Sequence, residues 1–321
     1  MNQKVSKSAL VTGGAGFIGS NLVNKLVEEN WKVTIIDDLS SGFLSNIDTN
    51  KVTLIKESIL NINKIKLNEK FDFVFHLAAS VGRQRSIDNS RLDSEINLIG
   101  TIELLNYIKR NNINKIIYSS SAAIYGELKT EIVDETHELN PDSPYGVSKL
   151  AAEKMIFAYS NLFKIKAVAL RYFNIYGMNQ RFDYYGNVIP IFTHLINQGK
   201  PVNVYGDGNQ TRDFLNVKDV VNANYIAAIS EEINGFYNLG SGSSITINKL
   251  ISYLSLIFKI DVKINYLPKR IGDVYNCSAN ISKITKESIF KPTINLMDGL
   301  NEYVKWFKSD LNLKNDNKIN K

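Results

Sequence analysis

The stretch Ser143–Lys149, SPYGVSK, sets a tyrosine and a lysine four residues apart where a helical pattern begins. On a helix that spacing brings Tyr145 and Lys149 to one face. Two readings are open. Ring and aliphatic stem pack on the protein while the ammonium snorkels to water, or phenol and ammonium form a proton-transfer pair. A free tyrosine titrates near about 10 and is a poor base at neutral pH. A nearby cation favours the phenolate and brings the group closer to working pH.

A second candidate lies near the start, in ALVTGGAGFIGSNLV, with Gly13, Gly16 and Gly19 in a GxxGxxG pattern. A strand pattern precedes it and a helix pattern comes after it. In that setting Gly13 permits a sharp turn, Gly16 lets backbone approach a pyrophosphate, and Gly19 lets the helix pack closely on the sheet. Phe17 and Ile18 open the helix, whose first N–H groups and positive dipole end suit phosphates. Asp37 ends the next strand pattern, 18 residues after Gly19. A carboxylate there accepts from adenosine ribose hydroxyls and repels a 2′-phosphate, which favours NAD over NADP. Asp38 is equally a partner in this role or a loop residue.

The elements that must carry these groups are legible as a rhythm. Ser8–Thr12, Lys32–Ile36, Val52–Ile55, Phe71–Ala79, Lys115–Ser121 and Ala167–Phe173 read as strands, and Phe17–Glu29, Ile96–Ile108 and Tyr145–Phe163 as helices. Short apolar strands alternating with helices predict a parallel sheet covered on both faces. After Tyr176 the rhythm breaks. Gly177–Gly186 reads as a loop, Gly206–Asn209 as a turn, Val217–Ile229 as a helix, Gly235–Gly242 as a strand leading into a loop, and Val262–Tyr266 as a strand. This half predicts a smaller lobe capping the C-terminal edge of the sheet.

The chain has 321 residues, 44% of them hydrophobic and 22% charged, which suits a soluble globular protein of one large or two modest domains. No run of about 18 apolar residues occurs and the first residues lack an apolar signal core, so the expectation is a cytoplasmic protein without a membrane segment. A single cysteine, Cys277, excludes an internal disulfide and a site of paired thiolates, and suits a reducing compartment. The net charge of +6 comes from lysines scattered through Asn- and Ile-rich segments, with no basic block beyond Lys314–Lys321. That predicts a solvated lysine-rich surface and no nucleic-acid site.

TGGAGFIG, FHLAA, SSSAAIYG, YGVSK and RYFNIYG occur in the order and spacing of the extended short-chain dehydrogenases/reductases, and from Lys7 to Phe307 the chain resembles the nucleotide-sugar epimerases and dehydratases of that family. The resemblance implies an α/β fold: a Rossmann-type doubly wound NAD domain of residues 1–176 with 212–240, and a nucleotide-sugar lobe of 177–211 and 241–321. It implies Tyr145 as acid/base, Lys149 as its partner and a ligand of the nicotinamide ribose, and Ser121 as the hydroxyl bridging substrate and phenolate. Ser119 and Ser120 then support backbone. Around the cofactor it implies Gly13, Gly16, Phe17, Ile18, Gly19, Asp37, Ser58, Ile59, Leu77, Ala78, Ala79, Tyr145, Lys149 and Tyr172. Two departures stand out. Ser58-Ile59 replaces the frequent Asp-Ile at adenine, and Met178 replaces the usual Pro after RYFNIYG, leaving that loop less constrained.

Within the family the reaction turns on the two residues after Ser121. Dehydratases carry Asp-Glu there and uronate decarboxylases a Glu; this chain has Ala122-Ala123, without an acid to protonate a leaving hydroxyl. A 4-epimerase is therefore implied: Tyr145 takes the 4-hydroxyl proton, hydride leaves C4 for NAD⁺, and the 4-keto sugar turns before both return. Asn174, Asn187, Val188, Tyr205, Arg212, Arg270, Asp273 and Cys277 are implied around the UDP-sugar, the two arginines as bidentate clamps on the pyrophosphate. Cys277 takes the place that lines the sugar near C2, and a small residue there leaves room for an N-acetyl group. UDP-N-acetylglucosamine (UDP-GlcNAc) is the expected substrate, with UDP-glucose beside it. A UDP-glucose-only epimerase, a dehydratase or uronate enzyme, and a non-catalytic NAD-binding protein are the alternatives. Helices Asp93–Asn111 and Tyr145–Phe163 are implied to pair two copies into a homodimer.

Overall fold

The computed structural model describes residues 6–67, 69–183, 186–269, 275–288 and 290–319. Its first half runs β1 (Ser8–Thr12), α1 (Phe17–Glu28), β2 (Lys32–Ile36), β3 (Thr53–Ile55), β4 (Phe73–His76), α2 (Arg83–Asp88), α3 (Ser90–Ser94), α4 (Gly100–Arg110), β5 (Lys115–Ser121), β6 (Ile132–Val133), α5 (Pro144–Phe163) and β7 (Lys166–Tyr172). Then come β8 (Asn174–Tyr176), α6 (Val188–Asn197), β9 (Val202–Tyr205), β10 (Thr211–Asn216), α7 (Val217–Ile229), β11 (Gly235–Leu239), β12 (Ser244–Thr246), α8 (Ile247–Phe258), β13 (Ile264–Leu267), β14 (Ser278–Ala279), α9 (Ser282–Ser288) and α10 (Leu296–Ile319).

Seven strands form one sheet in the order β11-β7-β5-β4-β1-β2-β3, and every neighbouring pair is parallel. This is the doubly wound α/β arrangement that the strand–helix rhythm predicts. The strands are apolar on both faces because both faces are covered. Ala9, Val11, Val33 and Ile35 join one core with α1 and α7. Leu10, Ile36, Val74 and Ile116 join the other with α4 and α5. Burying each such valine, leucine or isoleucine contributes about 1.5–3 kcal/mol.

The chain winds outward from β1 to β3 in one direction and from β4 to β11 in the other. The reversal lies between β1 and β4, and ligands of such sheets sit in the crevice outside the strand ends at that point. The residues after β1 and β4 are the glycine turn and Leu77–Ala79.

After β7 the chain leaves this sheet and comes back to it for β11. β8 and β10 pair in parallel, and β12 joins β10 antiparallel. A third apolar core, with Tyr176, Phe192, Val204, Phe214, Leu250 and Tyr303, holds the smaller part together. Among the described residues no helix is long and apolar enough to cross a membrane.

Candidate active site

The glycine turn is built of close approaches. Gly13 has φ +71°, and a Cβ on it would stand 2.6 Å from the backbone N of Ala78. Only glycine fits such a place. A Cβ on Gly19 would stand 2.0 Å from the carbonyl oxygen of Gly13, so α1 packs on the turn itself at this point. The tight contact with the sheet, expected of Gly19, belongs to Gly14, whose Cβ would meet Ile35 at 2.7 Å. Gly16 is the N-cap of α1 and no side chain caps that end. Leu77 N donates to Thr12 O at 3.0 Å and Ala78 N to Thr12 Oγ1 at 3.3 Å, which lays Leu77–Ala79 along the turn.

Asp37 is buried at the end of β2 and pins the turn. Its Oδ2 accepts from Ala15 N at 2.8 Å and its Oδ1 from Leu39 N at 2.9 Å. Burial raises its pKa, the two backbone bonds oppose the rise, and Asp38 adds to it. Asp38 accepts from Ser40 N at 2.9 Å, and among the described residues this is its one hydrogen bond. Ser58 caps a short 3-10 helix by accepting from Leu60 N at 3.3 Å, and Ile59 is buried beneath it. A dinucleotide fits this cradle. The helix N-terminus offers donors to a pyrophosphate, an ionised carboxylate keeps lone pairs for ribose hydroxyls, and Gly13 and Gly19 leave no room for a Cβ. The loop at Met178, expected to be loose without proline, is fastened to α1: Asn21 Nδ2 donates to Met178 O and Asn179 Nδ2 to Ser20 Oγ, both at 3.0 Å.

The second constellation stands at the C-terminal end of β5 and the start of α5. Ser143 caps α5 by accepting from Gly146 N at 3.2 Å, and Pro144 takes the first helical position. Tyr145 and Lys149 therefore occupy the first two turns, on the side facing β5. The Tyr145 phenol lies beside the Ser121 hydroxyl. Lys149 Nζ donates to Ser119 O and sits 4.3 Å from the centre of the Tyr118 ring. Spacing alone points to a phenol brought below its usual range. In the chain itself burial wins: it pushes Tyr145 up to about 12, the Ser121 hydroxyl works against the rise, and the charge of Asp93 adds to it. Burial pushes Lys149 down to about 7 against the pull of Asp93 and Glu153. Tyr172, opposite Ser121 in the sheet, turns its hydroxyl to Asn224, which donates to it at 2.8 Å.

Around these groups lies a buried polar chain that sequence reasoning missed. Thr101 Oγ1 donates to Asn97 O at 2.5 Å, so it accepts from His76 Nε2 at 2.9 Å; His76 Nδ1 then accepts from Thr12 Oγ1 at 2.8 Å. Burial pushes His76 down to about 3, and the Lys149 charge adds to that fall, so the ring is neutral. Asn97 emerges in a π-turn at Glu95–Ile99, inside the pattern expected as a plain helix. Its side chain meets Ser80 N and O, Asp93 and Ser148. Ser148 Oγ donates to the fully buried Asp93 at 2.5 Å. The network joins the glycine turn to α5. Its one signal in the sequence is a polar Asn97 in the apolar run INLIGTI.

On the substrate side β10 is the hub. Asn174 Nδ2 donates to Asp213 O at 3.1 Å. Buried Asp213 accepts from Ser241 N, Gly242 N and Ala279 N at 2.6, 3.1 and 3.0 Å. Arg212 donates to Thr211 O at 2.8 Å and Tyr275 O at 3.3 Å. Residues 275–279 thus lie along β10, and Cys277 joins an apolar cluster with Ala122, Ile124 and Phe173. Burial raises the thiol to about 11, opposed by Arg212 and aided by Asp213. Asn187 is the N-cap of α6, with Nδ2 3.4 Å from Ile175 O, and Val188 comes next. Tyr205 ends β9, where its carbonyl accepts from Gln210 Nε2 at 2.8 Å. Arg270 and Asp273 lie outside the described residues. Among the described residues no group of three or more His, Cys, Asp or Glu could hold a metal ion.

Known proteins share this fold. A solved UDP-N-acetylglucosamine 4-epimerase from Methanobrevibacter ruminantium M1, in complex with UDP-N-acetylmuramic acid, is 38% identical with a TM-score of 0.91, covering 95% of this chain and 99% of that one. A UDP-glucose 4-epimerase of Thermotoga maritima, solved with UDP-glucose, is 34% identical at the same TM-score of 0.91, covering 95% and 99%. The UDP-N-acetyl-alpha-D-glucosaminuronate decarboxylase of Bacillus cytotoxicus is 31% identical over 95% of this chain and 98% of its own length. Residues 9–240 match the family described as NAD dependent epimerase/dehydratase, and the chain belongs to that family.

Proposed function

We propose that this chain is an NAD-dependent 4-epimerase that interconverts UDP-GlcNAc and UDP-N-acetylgalactosamine, and also UDP-glucose and UDP-galactose. The observation that carries the N-acetyl preference is the placing of Cys277. Cys277 and Ala122, the residue after Ser121, pack against the same apolar cluster, so two small side chains stand near the reacting hydroxyl. Ala122-Ala123 also argues against a dehydratase or decarboxylase, which by family resemblance needs an acid at that place.

NAD, when bound, supplies the hydride acceptor and donor for C4. The chain's residues do the rest. Tyr145 exchanges the proton of the 4-hydroxyl, Ser121 holds that oxygen, and Lys149 supplies a donor and a cation beside the phenol. Gly13, Gly16, Phe17, Ile18, Gly19, Asp37, Ser58, Ile59 and Leu77–Ala79 hold the cofactor, with Tyr172 contributing through its backbone. Arg212, Arg270 and Asp273 hold the UDP, with Asn174, Asn187, Val188 and Tyr205, and leave the sugar free to turn. Exposed Leu92, Ile99, Val147 and Leu162 on the α3–α4 and α5 surfaces support a homodimer through those helices.

Incubation with UDP-GlcNAc and with UDP-glucose, followed by NMR of the products, tests the reading. Both C4 epimers are expected. A 4-keto-6-deoxy sugar, or no conversion, counts against it. Cys277→Tyr overfills the wall, and such overpacking costs about 1–3 kcal/mol. We expect about 100-fold less turnover of UDP-GlcNAc, with UDP-glucose turnover within a few-fold of the parent.

A further inference from the structure

Ser119, Ser120 and Ser121 are consecutive on β5, and Tyr145, Lys149 and Glu153 recur every fourth residue on α5. Each of the three α5 residues meets one of the serines. Tyr145 lies beside the Ser121 hydroxyl, Lys149 Nζ donates to the Ser119 carbonyl, and Ser120 Oγ donates to Glu153 Oε2 at 2.6 Å. The third contact is the most enclosed, with Ser120 2% exposed and Glu153 1%.

A second strand joins there. Arg171 of β7 stands directly opposite Ser120 in the sheet register. Its Nη2 donates to Glu153 Oε1 at 2.6 Å and its Nε to Oε2 at 3.3 Å. Its Nη1 donates to Tyr125 OH at 2.9 Å, and that hydroxyl donates to Asn238 Oδ1 at 2.6 Å. Every charged atom of the pair has a partner, and the guanidinium lies 4.2 Å from the centre of the Phe236 ring. A buried ion pair adds little net stability over well-packed apolar residues, since desolvation offsets the attraction. What a fully bonded one can supply is a single arrangement of the elements it joins.

We propose that Ser120, Glu153 and Arg171 form a lock that sets α5 against β5 and β7 and so places the Tyr145 phenol on the Ser121 hydroxyl. None of the three touches substrate or cofactor; they are positioning residues. The proposal rests on the reading of Tyr145 and Ser121 as the reacting pair. Sequence separation hides it, for Glu153 lies 33 residues from Ser120 and 18 from Arg171.

Ser120→Ala tests the lock, because it removes the strand's hold on Glu153 and leaves the ion pair intact. A small misplacement of a reacting group is costly, and we expect kcat to fall about tenfold, with KM for the UDP sugar and the bound NAD content unchanged. Ser120→Thr, which keeps a hydroxyl, should restore kcat. Parental kcat in Ser120→Ala, or a loss that merely tracks NAD content, overturns the proposal. Should the parent turn over no UDP sugar, the proposed function fails, and crystal structures of parent and Ser120→Ala then decide the lock. A Tyr145 hydroxyl displaced from Ser121 in the variant supports it, and an unchanged contact overturns it.

Discussion

Replacing Tyr145 with phenylalanine is expected to lower kcat roughly 1000-fold, within the span that general acid–base groups supply, and to leave KM for the UDP sugar within a few-fold. The ring keeps its packing and only the hydroxyl goes. That hydroxyl lies beside Ser121 at the strand end and on the face of α5 that Lys149 shares. Its electrostatic setting explains the size of the effect. Burial holds the phenol near 12 and Lys149 near 7, so the folded chain alone keeps the proton on the tyrosine. Charge that arrives with the ligands must tip the pair, and without the hydroxyl there is nothing to tip. Turnover and KM measured on purified Tyr145→Phe check this; parental kcat would remove Tyr145 from the reaction.

The second large effect is expected from Gly19→Ala. A Cβ there would stand 2.0 Å from the carbonyl oxygen of Gly13 and 2.9 Å from the Cα of Gly14, all backbone. No side chain can swing aside, so the turn itself must move. The turn is held from the other side by Ala78 and by the Asp37 bond to Ala15 N, and its displacement misaligns the N–H groups at the start of α1. Hydrogen bonds to a charged group are worth about 1.5–3 kcal/mol each, so losing two weakens NAD binding about 100-fold or more. Calorimetric titration with NAD⁺ on parent and variant measures this directly.

The glycine turn and SPYGVSK were legible because each is local: the positive φ, the cap and the helix face are written within a few residues. The strand–helix rhythm, and with it the sheet, came from apolar periodicity. Phe71–Ala79 read as one strand, yet the chain leaves the sheet after His76, because Leu77–Ala79 must run along the glycine turn. Apolar composition is the same on either side of that point. The helix pattern at Ile96–Ile108 likewise hid a π-turn, since one extra residue per turn barely disturbs a 3.6-residue period. Asn97 with Ser148, Asp93 with Ser148, and Glu153 with Arg171 pair residues far apart in the chain, and no local rule brings them together. Spacing showed that Tyr145 and Lys149 share a face but not how deeply they sit, and depth decides the direction of both pKa shifts. The smaller sheet takes β8, β10 and β12, while α7 and β11 return to the large sheet.

The mechanism requires that C4 of the sugar give up a hydride and take the same one back while Tyr145 moves only a proton. UDP-GlcNAc carrying deuterium at C4, incubated with the protein in ordinary water, tests this in one experiment. The expected product is UDP-N-acetylgalactosamine with the deuterium retained at C4. Loss of the deuterium to water in that product would contradict the hydride shuttle.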